Sequence, residues 1–187
     1  MSNKNTVVRA IRIDSSLDKA ISTTASEKGL SFNLLVNQIL SKYAEFDRVA
    51  EKLGFIGFAG SSLRNFLTLV SDEEAEKLGA MSGFSGANAK QFTSMLVGNN
   101  NLEGFLEALK LMEKYLKVFS TEISQRDDGY LIVMTHSLGG KWSLFLKGMM
   151  LCTLNRVYGL EPEFEITENF LTTRFMVPSE LVAKSSN

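Results

Sequence analysis

The segment TVVRAIRID, residues 6–14, is an alternating stretch with no second strand candidate near it in the sequence. Apolar and polar residues alternate there as they do in a half-buried β-strand. Its two faces hold Ile11 and Ile13 on one side and Val8, Ala10 and Arg12 on the other. The next segment typical of a strand begins near residue 120. Because a buried backbone group without a hydrogen bond costs about 1 to 3 kcal/mol, this strand needs a partner from outside its own neighbourhood.

Composition and charge describe an ordinary folded chain. The 187 residues are 44% apolar and 22% charged, with a net charge of -1, so the sequence predicts one or two globular domains. The charge is uneven, because residues 1–46 hold six basic and four acidic side chains. The polar start MSNKN, the single Cys152 and the absence of a long apolar run predict a cytoplasmic location with no membrane partner.

Two capped helices follow the strand candidate. Asp14 or Ser15 precedes a helix with apolar residues at helical spacing, and Gly29 is placed to end it. Ser31 is placed to cap a second helix, which has no breaker before residue 53 and is predicted to run unbroken from about residue 32. The glycine-rich segment 54–62 is predicted to be a hinge.

The order strand, capped helix, glycine turn and capped helix over residues 7–46 resembles the ribbon-helix-helix family of DNA-binding proteins, of the MetJ and Arc type. The segments that carry the resemblance are RIDSSLDKAI and SEKGLSFNLLVNQIL, with Gly29 and Ser31 at the helix junction. The resemblance implies that the strand pairs antiparallel with the same strand of a second subunit. That pairing would form an intersubunit β-ribbon, which enters the major groove of DNA.

The resemblance also implies which residues contact DNA. Arg12 is expected to donate two hydrogen bonds to guanine. Arg9 falls on the inward side of the strand, so we expect either that it reaches outward to a phosphate or that the ribbon begins only at Ala10. The first residues of the second helix are expected to hold a phosphate. The full predicted set is Val8, Arg9, Ala10, Arg12, Ser31, Phe32 and Asn33. An alternative is that the ribbon only dimerises the chain.

The rest of the chain is predicted to be an α+β domain over residues 63–179, with helices followed by a ββαββ segment. An Asp-Gly pair near residue 128 indicates the first hairpin, and a second hairpin turns around residues 168 and 169. Residues 1–53 then form the DNA-binding and dimerisation domain, and residues 180–187 a disordered tail. The domain over 63–179 resembles no family that we recognise.

The stretch MTHSLGGKWSLF is the one that invites a chemical interpretation. It lacks the first glycine and the Ser or Thr of a nucleotide-binding loop, so we predict no nucleotide hydrolysis. One interpretation makes His136, Lys141 and Trp142 an effector pocket, with backbone amides near Gly139 able to bind an anion. The other makes His136 a strand-end residue that is hydrogen-bonded to backbone, with Ser137 capping the next helix. We predict no metal site, because one histidine and one cysteine supply too few ligands. We also predict no catalytic site and no cofactor.

The leading functional expectation is a homodimeric, sequence-specific transcriptional regulator that binds double-stranded DNA and pairs as dimers or tetramers. Its C-terminal domain would sense a small-molecule effector or direct assembly. A second hypothesis is a protein-interaction module resembling an antitoxin, whose C-terminal domain binds a protein partner. A third, an enzyme in the second half, is disfavoured because few titratable residues lie near His136 in the sequence.

Overall fold

The computed structural model describes residues 6–82, 85–126 and 128–178. The chain divides into two compact units, Met1–Ala44 and Glu45–Asn187. We call them the N-terminal unit and the C-terminal unit. The predicted tail, residues 180–187, and Asp127 in the first hairpin turn lie outside the described residues.

The N-terminal unit is built from two helices. Helix α1 spans Ser15–Glu27 and helix α2 spans Phe32–Lys42. Gly29 adopts a φ of +64° at the turn between them, a conformation that favours glycine. The amide of Leu30 donates to the carbonyl of Ala25 at 2.9 Å, which closes the end of α1. The two helices and the glycine turn therefore form as the sequence predicted, but Asp14 precedes α1 without the predicted side-chain cap.

The predicted β-ribbon is wrong. Residues 6–14 belong to no strand, and the first regular element among the described residues is helix α1. None of the described strands pairs with this segment, and all its side chains are exposed. The alternation of apolar and polar residues indicates which side chains a strand would place on each face. A strand forms, however, only where a neighbouring strand completes its backbone hydrogen bonds. The N-terminal unit is consequently helical.

The helical run after α2 changes its winding. A π-helical segment spans Tyr43–Asp47 and helix α3 spans Arg48–Lys52, so the run predicted to reach residue 53 is helical but is not one α-helix. The division between the units falls inside the π-helical segment rather than at residue 53. Segment 54–62, predicted as a hinge, belongs to the C-terminal unit, where the ring of Phe55 stacks on Phe92 at 5.8 Å between centroids.

The C-terminal unit has helices first and a sheet after them. Besides α3, its helices are α4 (Gly60–Thr68), α5 (Asp72–Ala80), α6 (Gly86–Val97), α7 (Leu102–Leu116) and α8 (Gly140–Tyr158). The strands are β1 (Ser120–Arg126), β2 (Gly129–Thr135), β3 (Glu163–Ile166) and β4 (Phe170–Met176). They form one antiparallel sheet in the order β1-β2-β4-β3. The ββαββ order agrees with the sequence prediction.

Helix α8 joins the two hairpins and crosses α5 at very close range. A Cβ atom built on Gly148 would lie 1.9 Å from the carbonyl oxygen of Glu76, and one built on Gly79 would lie 1.8 Å from that of Phe145. The two glycines therefore let the helix backbones touch. The Lys147 Nζ donates to the Glu76 carboxylate at 2.8 Å beside this crossing.

The core of the C-terminal unit forms around α8 and the central strands. Many of its fully buried apolar side chains come from α7, α8, β2 and β4, among them Leu109, Ile132, Leu146, Met149, Leu171 and Phe175. Strand β2 lies between β1 and β4, so Ile132 is flanked by Ile123 and Thr173. Burial of one such Leu, Ile, Met or Phe side chain stabilises a fold by roughly 1.5 to 3 kcal/mol. This unit thus has a core of its own.

We expect Gly148→Ala to lower the free energy of unfolding by roughly 1 to 3 kcal/mol, because the added methyl group forces the α5 backbone away from α8. Urea denaturation followed by circular dichroism measures the change. Gly57→Ala is the matched control, since a Cβ atom there meets nothing within 4 Å and its φ is not positive. A Gly148→Ala protein as stable as the Gly57→Ala protein would show that the helices do not depend on this approach.

Candidate functional site

The residues predicted to contact DNA from segment 6–14 all lie on the surface. Val8 is 95% exposed, and Arg9, Ala10 and Arg12 are exposed as well. Ile11, predicted to face inward, is 72% exposed, so the distinction between an inner and an outer face is not kept. Neither arginine forms an ion pair or a side-chain hydrogen bond among the described residues.

The start of helix α2 has the predicted cap. The Ser31 hydroxyl accepts a hydrogen bond from the Leu34 amide at 3.2 Å. The amides of Phe32 and Asn33 belong to the first turn, where a helix provides no acceptor of its own. Ser31 and Asn33 are exposed and Phe32 is half-buried. These amides remain available to an anion at the positive end of the helix dipole.

The N-terminal unit leaves most of its large apolar side chains uncovered. Ala25 and Leu35 are the buried apolar residues among its described positions. The exposed ones define what we call the N-terminal apolar surface: Val7, Val8, Ile11, Ile13, Leu17, Leu34, Ile39, Leu40 and Tyr43. Helical spacing predicted an apolar stripe on each helix but did not indicate how much of it a single chain would leave exposed.

His136 is held in one tautomer by a chain of hydrogen bonds. Its Nδ1 accepts from the Leu138 amide at 3.3 Å, so the proton of the neutral ring belongs on Nε2. The Nε2 and the Ser143 hydroxyl lie 2.8 Å apart, and that hydroxyl donates to the carbonyl of Thr167 at 2.7 Å. Burial lowers the pKa of His136. The ring therefore connects the end of β2 to α8 and to the residue after β3.

The three residues of the predicted effector pocket do not share a cavity. His136 lines one cleft, Lys141 lines another, and Trp142 is buried and stacked on Phe145 with 4.6 Å between ring centroids. The Lys141 Nζ donates to the carbonyl of Val70. Their closeness in sequence therefore did not bring their side chains to one site.

The loop between β2 and α8 begins the helix without a side-chain cap. Gly139 has a φ of +88° and precedes α8, and the predicted cap by Ser137 is wrong. The carbonyl of Ser137 instead accepts a hydrogen bond from Arg64. Arg64 and Lys141 line a cleft of about 420 Å³ over this helix start, together with the acidic Glu168.

The cleft beside His136 is larger, with a volume of about 650 Å³. It lies between the start of α4, the C-terminal end of α7 and the ends of β1 and β2. Lys117 ends α7 at its rim with a φ of 56° and a ψ of 29°. Among the described residues other than glycine, Lys117 alone has a positive φ. Sequence reasoning missed this cleft, because its wall comes from three distant segments and its left-handed residue is not a glycine or an asparagine.

Comparison with known proteins adds no relative. No protein-family model, curated protein or solved structure matches the chain. Within the part of the chain that the structure describes, none of the helices combines the length and the apolar character needed to cross a membrane. No three His, Cys, Asp or Glu side chains in that same part come together as metal ligands.

The buried His136 predicts a pH-dependent stability. Since its folded-state pKa lies below the ordinary value of 6.5, the unfolded chain takes up a proton first as the pH falls. Above pH 6.5 the free energy of unfolding includes the whole contribution of neutral His136. Below that pH this contribution is lost, and the free energy of unfolding falls by up to about 1.4 kcal/mol per pH unit. We expect the stability difference between the native chain and His136→Gln to shrink between about pH 7 and pH 5. Urea denaturation at each pH measures it, and a difference that stays constant would contradict the assignment.

Proposed function

We propose that this chain is a transcriptional regulator that binds double-stranded DNA through its N-terminal unit and self-associates through the N-terminal apolar surface. The observation that carries the proposal is that the same small unit combines an exposed apolar surface with two arginines, Arg9 and Arg12, that form no ion pair among the described residues. The proposal requires no β-ribbon, because the helices themselves carry much of that surface.

The apolar surface supports self-association. Two short helices that bury only Ala25 and Leu35 among their described apolar residues lack a core of their own. Contiguous exposed apolar residues on a soluble chain mark interaction sites. A second copy of the chain is always present at the same concentration as the first and can therefore cover the N-terminal apolar surface. In a dimer with two-fold symmetry, the same surface is covered on both chains.

The charge of the N-terminal unit supports DNA as the ligand. Residues 1–44 carry six basic and three acidic side chains, although the whole chain has a net charge of -1. A dimer carries twice the positive charge of one N-terminal unit. When this charge neutralises DNA phosphates, the counterions bound to the DNA are released, and this release favours binding. Arg9 and Arg12 supply side-chain donors, and the start of α2 supplies backbone donors to a phosphate.

We expect the affinity for double-stranded DNA to fall steeply as salt is added, because each neutralised phosphate contributes a slope of about 0.9 in log K against log salt. Fluorescence anisotropy with labelled genomic fragments measures it. Arg12→Ala should weaken binding by about tenfold or more and reduce the slope. Arg156→Ala, which removes an exposed arginine of the C-terminal unit, is the matched control. Binding that ignores both salt and Arg12→Ala would refute the proposal.

We expect the chain to sediment as a dimer and Leu40→Lys to shift it to monomer, since the charge must be buried on association. Analytical ultracentrifugation at several concentrations tests this. Leu69→Lys places the same charge on a more exposed apolar site of the C-terminal unit and should leave the dimer intact. A native chain that stays monomeric at micromolar concentration would overturn the self-association.

A protein-interaction module is the second candidate. It is favoured by an apolar cluster on the C-terminal unit, where Phe58 and Phe66 form an edge-to-face pair at 5.8 Å and both remain exposed. Ile56 nearby in sequence is 75% exposed. Co-purification of an equimolar second protein, lost with Phe58→Ser but not with Leu40→Lys, would favour this alternative over DNA binding.

A further inference from the structure

The cleft beside His136 has the size and the walls of a small-molecule site. Its volume of about 650 Å³ falls within the range of roughly 300 to 1,000 Å³ typical of ligand pockets. Phe58, Leu63, Leu116 and Leu138 supply an apolar wall, and Ser120 and Thr135 line it as well. The wall is fixed to the core, because Leu63, Leu116 and Leu138 all pack against the main hydrophobic cluster.

The cleft also holds two opposite charges that do not pair with each other. Glu113 and Lys117 both line it, and neither side chain forms an ion pair or hydrogen bond among the described residues. Residues four apart on a continuing helix face each other and commonly pair. Lys117 leaves the helix with a left-handed backbone, so its side chain departs from the face that Glu113 occupies. An anionic and a cationic group are therefore both available in one cleft.

The other titratable group in the wall adds no charge at neutral pH. His136 is kept neutral by burial, and its ring nitrogens are occupied by Leu138 and Ser143. Among the residues that the structure describes, the lining thus carries one negative and one positive charge beside an apolar surface. A ligand with a single charge would leave one of these groups unmatched, whereas a zwitterion with an apolar side chain matches both.

We propose that the C-terminal unit binds a free amino acid with an apolar side chain in the cleft lined by Glu113, Lys117 and His136. The ligand ammonium donates to the Glu113 carboxylate, and the ligand carboxylate accepts from the Lys117 Nζ. The ligand side chain lies against Phe58 and Leu138. The inference does not rest on DNA binding, since every residue in it belongs to the C-terminal unit.

Titration of the full ¹⁵N-labelled chain with L-phenylalanine, followed by amide chemical shifts, tests the proposal. We expect saturable shifts at Leu63, Leu116 and Leu138. Two probes separate the charges: 3-phenylpropionate lacks the ammonium and 2-phenylethylamine lacks the carboxylate. Each should bind about tenfold more weakly than L-phenylalanine, or worse, because one charge in the cleft stays unmatched. Equal affinities for the three probes, or shifts confined to residues outside the cleft, would overturn the proposal.

Variants at the left-handed position separate binding from folding. Lys117→Gly removes the cation but suits a φ of 56°, so the protein should be at least as stable as the native chain. We expect it to lose about tenfold or more in affinity for L-phenylalanine, whereas Lys117→Arg retains it. Glu113→Gln should lose a similar factor, and Lys110→Ala, an exposed site on the same helix outside the cleft, should lose none. Native affinity in a folded Lys117→Gly protein would refute the assignment.

Discussion

The close crossing of α5 and α8 is the contact on which the rest of the C-terminal unit depends. Gly79 and Gly148 remove the side chains that would separate the two backbones. Helix α8 also connects the two hairpins, so its position sets where β2 ends and where β3 begins. Ser143, on the same helix, then joins His136 to the carbonyl of Thr167. One pair of glycines thus fixes a helix, and the helix aligns both halves of the sheet.

The two units achieve stability in different ways. The C-terminal unit buries a continuous core between its helices and its sheet, including Leu109, Ile132, Met149 and Phe175. The N-terminal unit buries little and leaves Leu40 and Tyr43 more than half exposed. Since apolar burial is the dominant favourable term in folding, the N-terminal unit gains most from association. The proposed self-association would therefore stabilise this unit through the same surface that serves its proposed function.

Local signals predicted the C-terminal elements well. The Asp-Gly pair and the turn at residues 168 and 169 predicted both hairpins, which the strand pairing confirms. The capping box that Ser71 and Glu74 form at the start of α5 was not predicted. Residues 6–14 misled, because alternation says nothing about whether a partner strand exists. The sequence could not predict the hydrogen bond between His136 and Ser143 or the left-handed backbone of Lys117. Each depends on where the end of a helix or strand lies in the folded unit. The candidate DNA contacts stay predictions.

The strand order has a consequence for how the chain is made. Strand β4 is synthesised after β1, β2 and β3, yet it lies between β2 and β3 in the sheet. On the ribosome, β2 therefore keeps one side unpaired until Phe170–Met176 emerges from the exit tunnel. An unpaired strand edge invites aggregation. A nascent chain that stalls just after β3 would expose this edge, so the sheet is completed only when β4 has been synthesised.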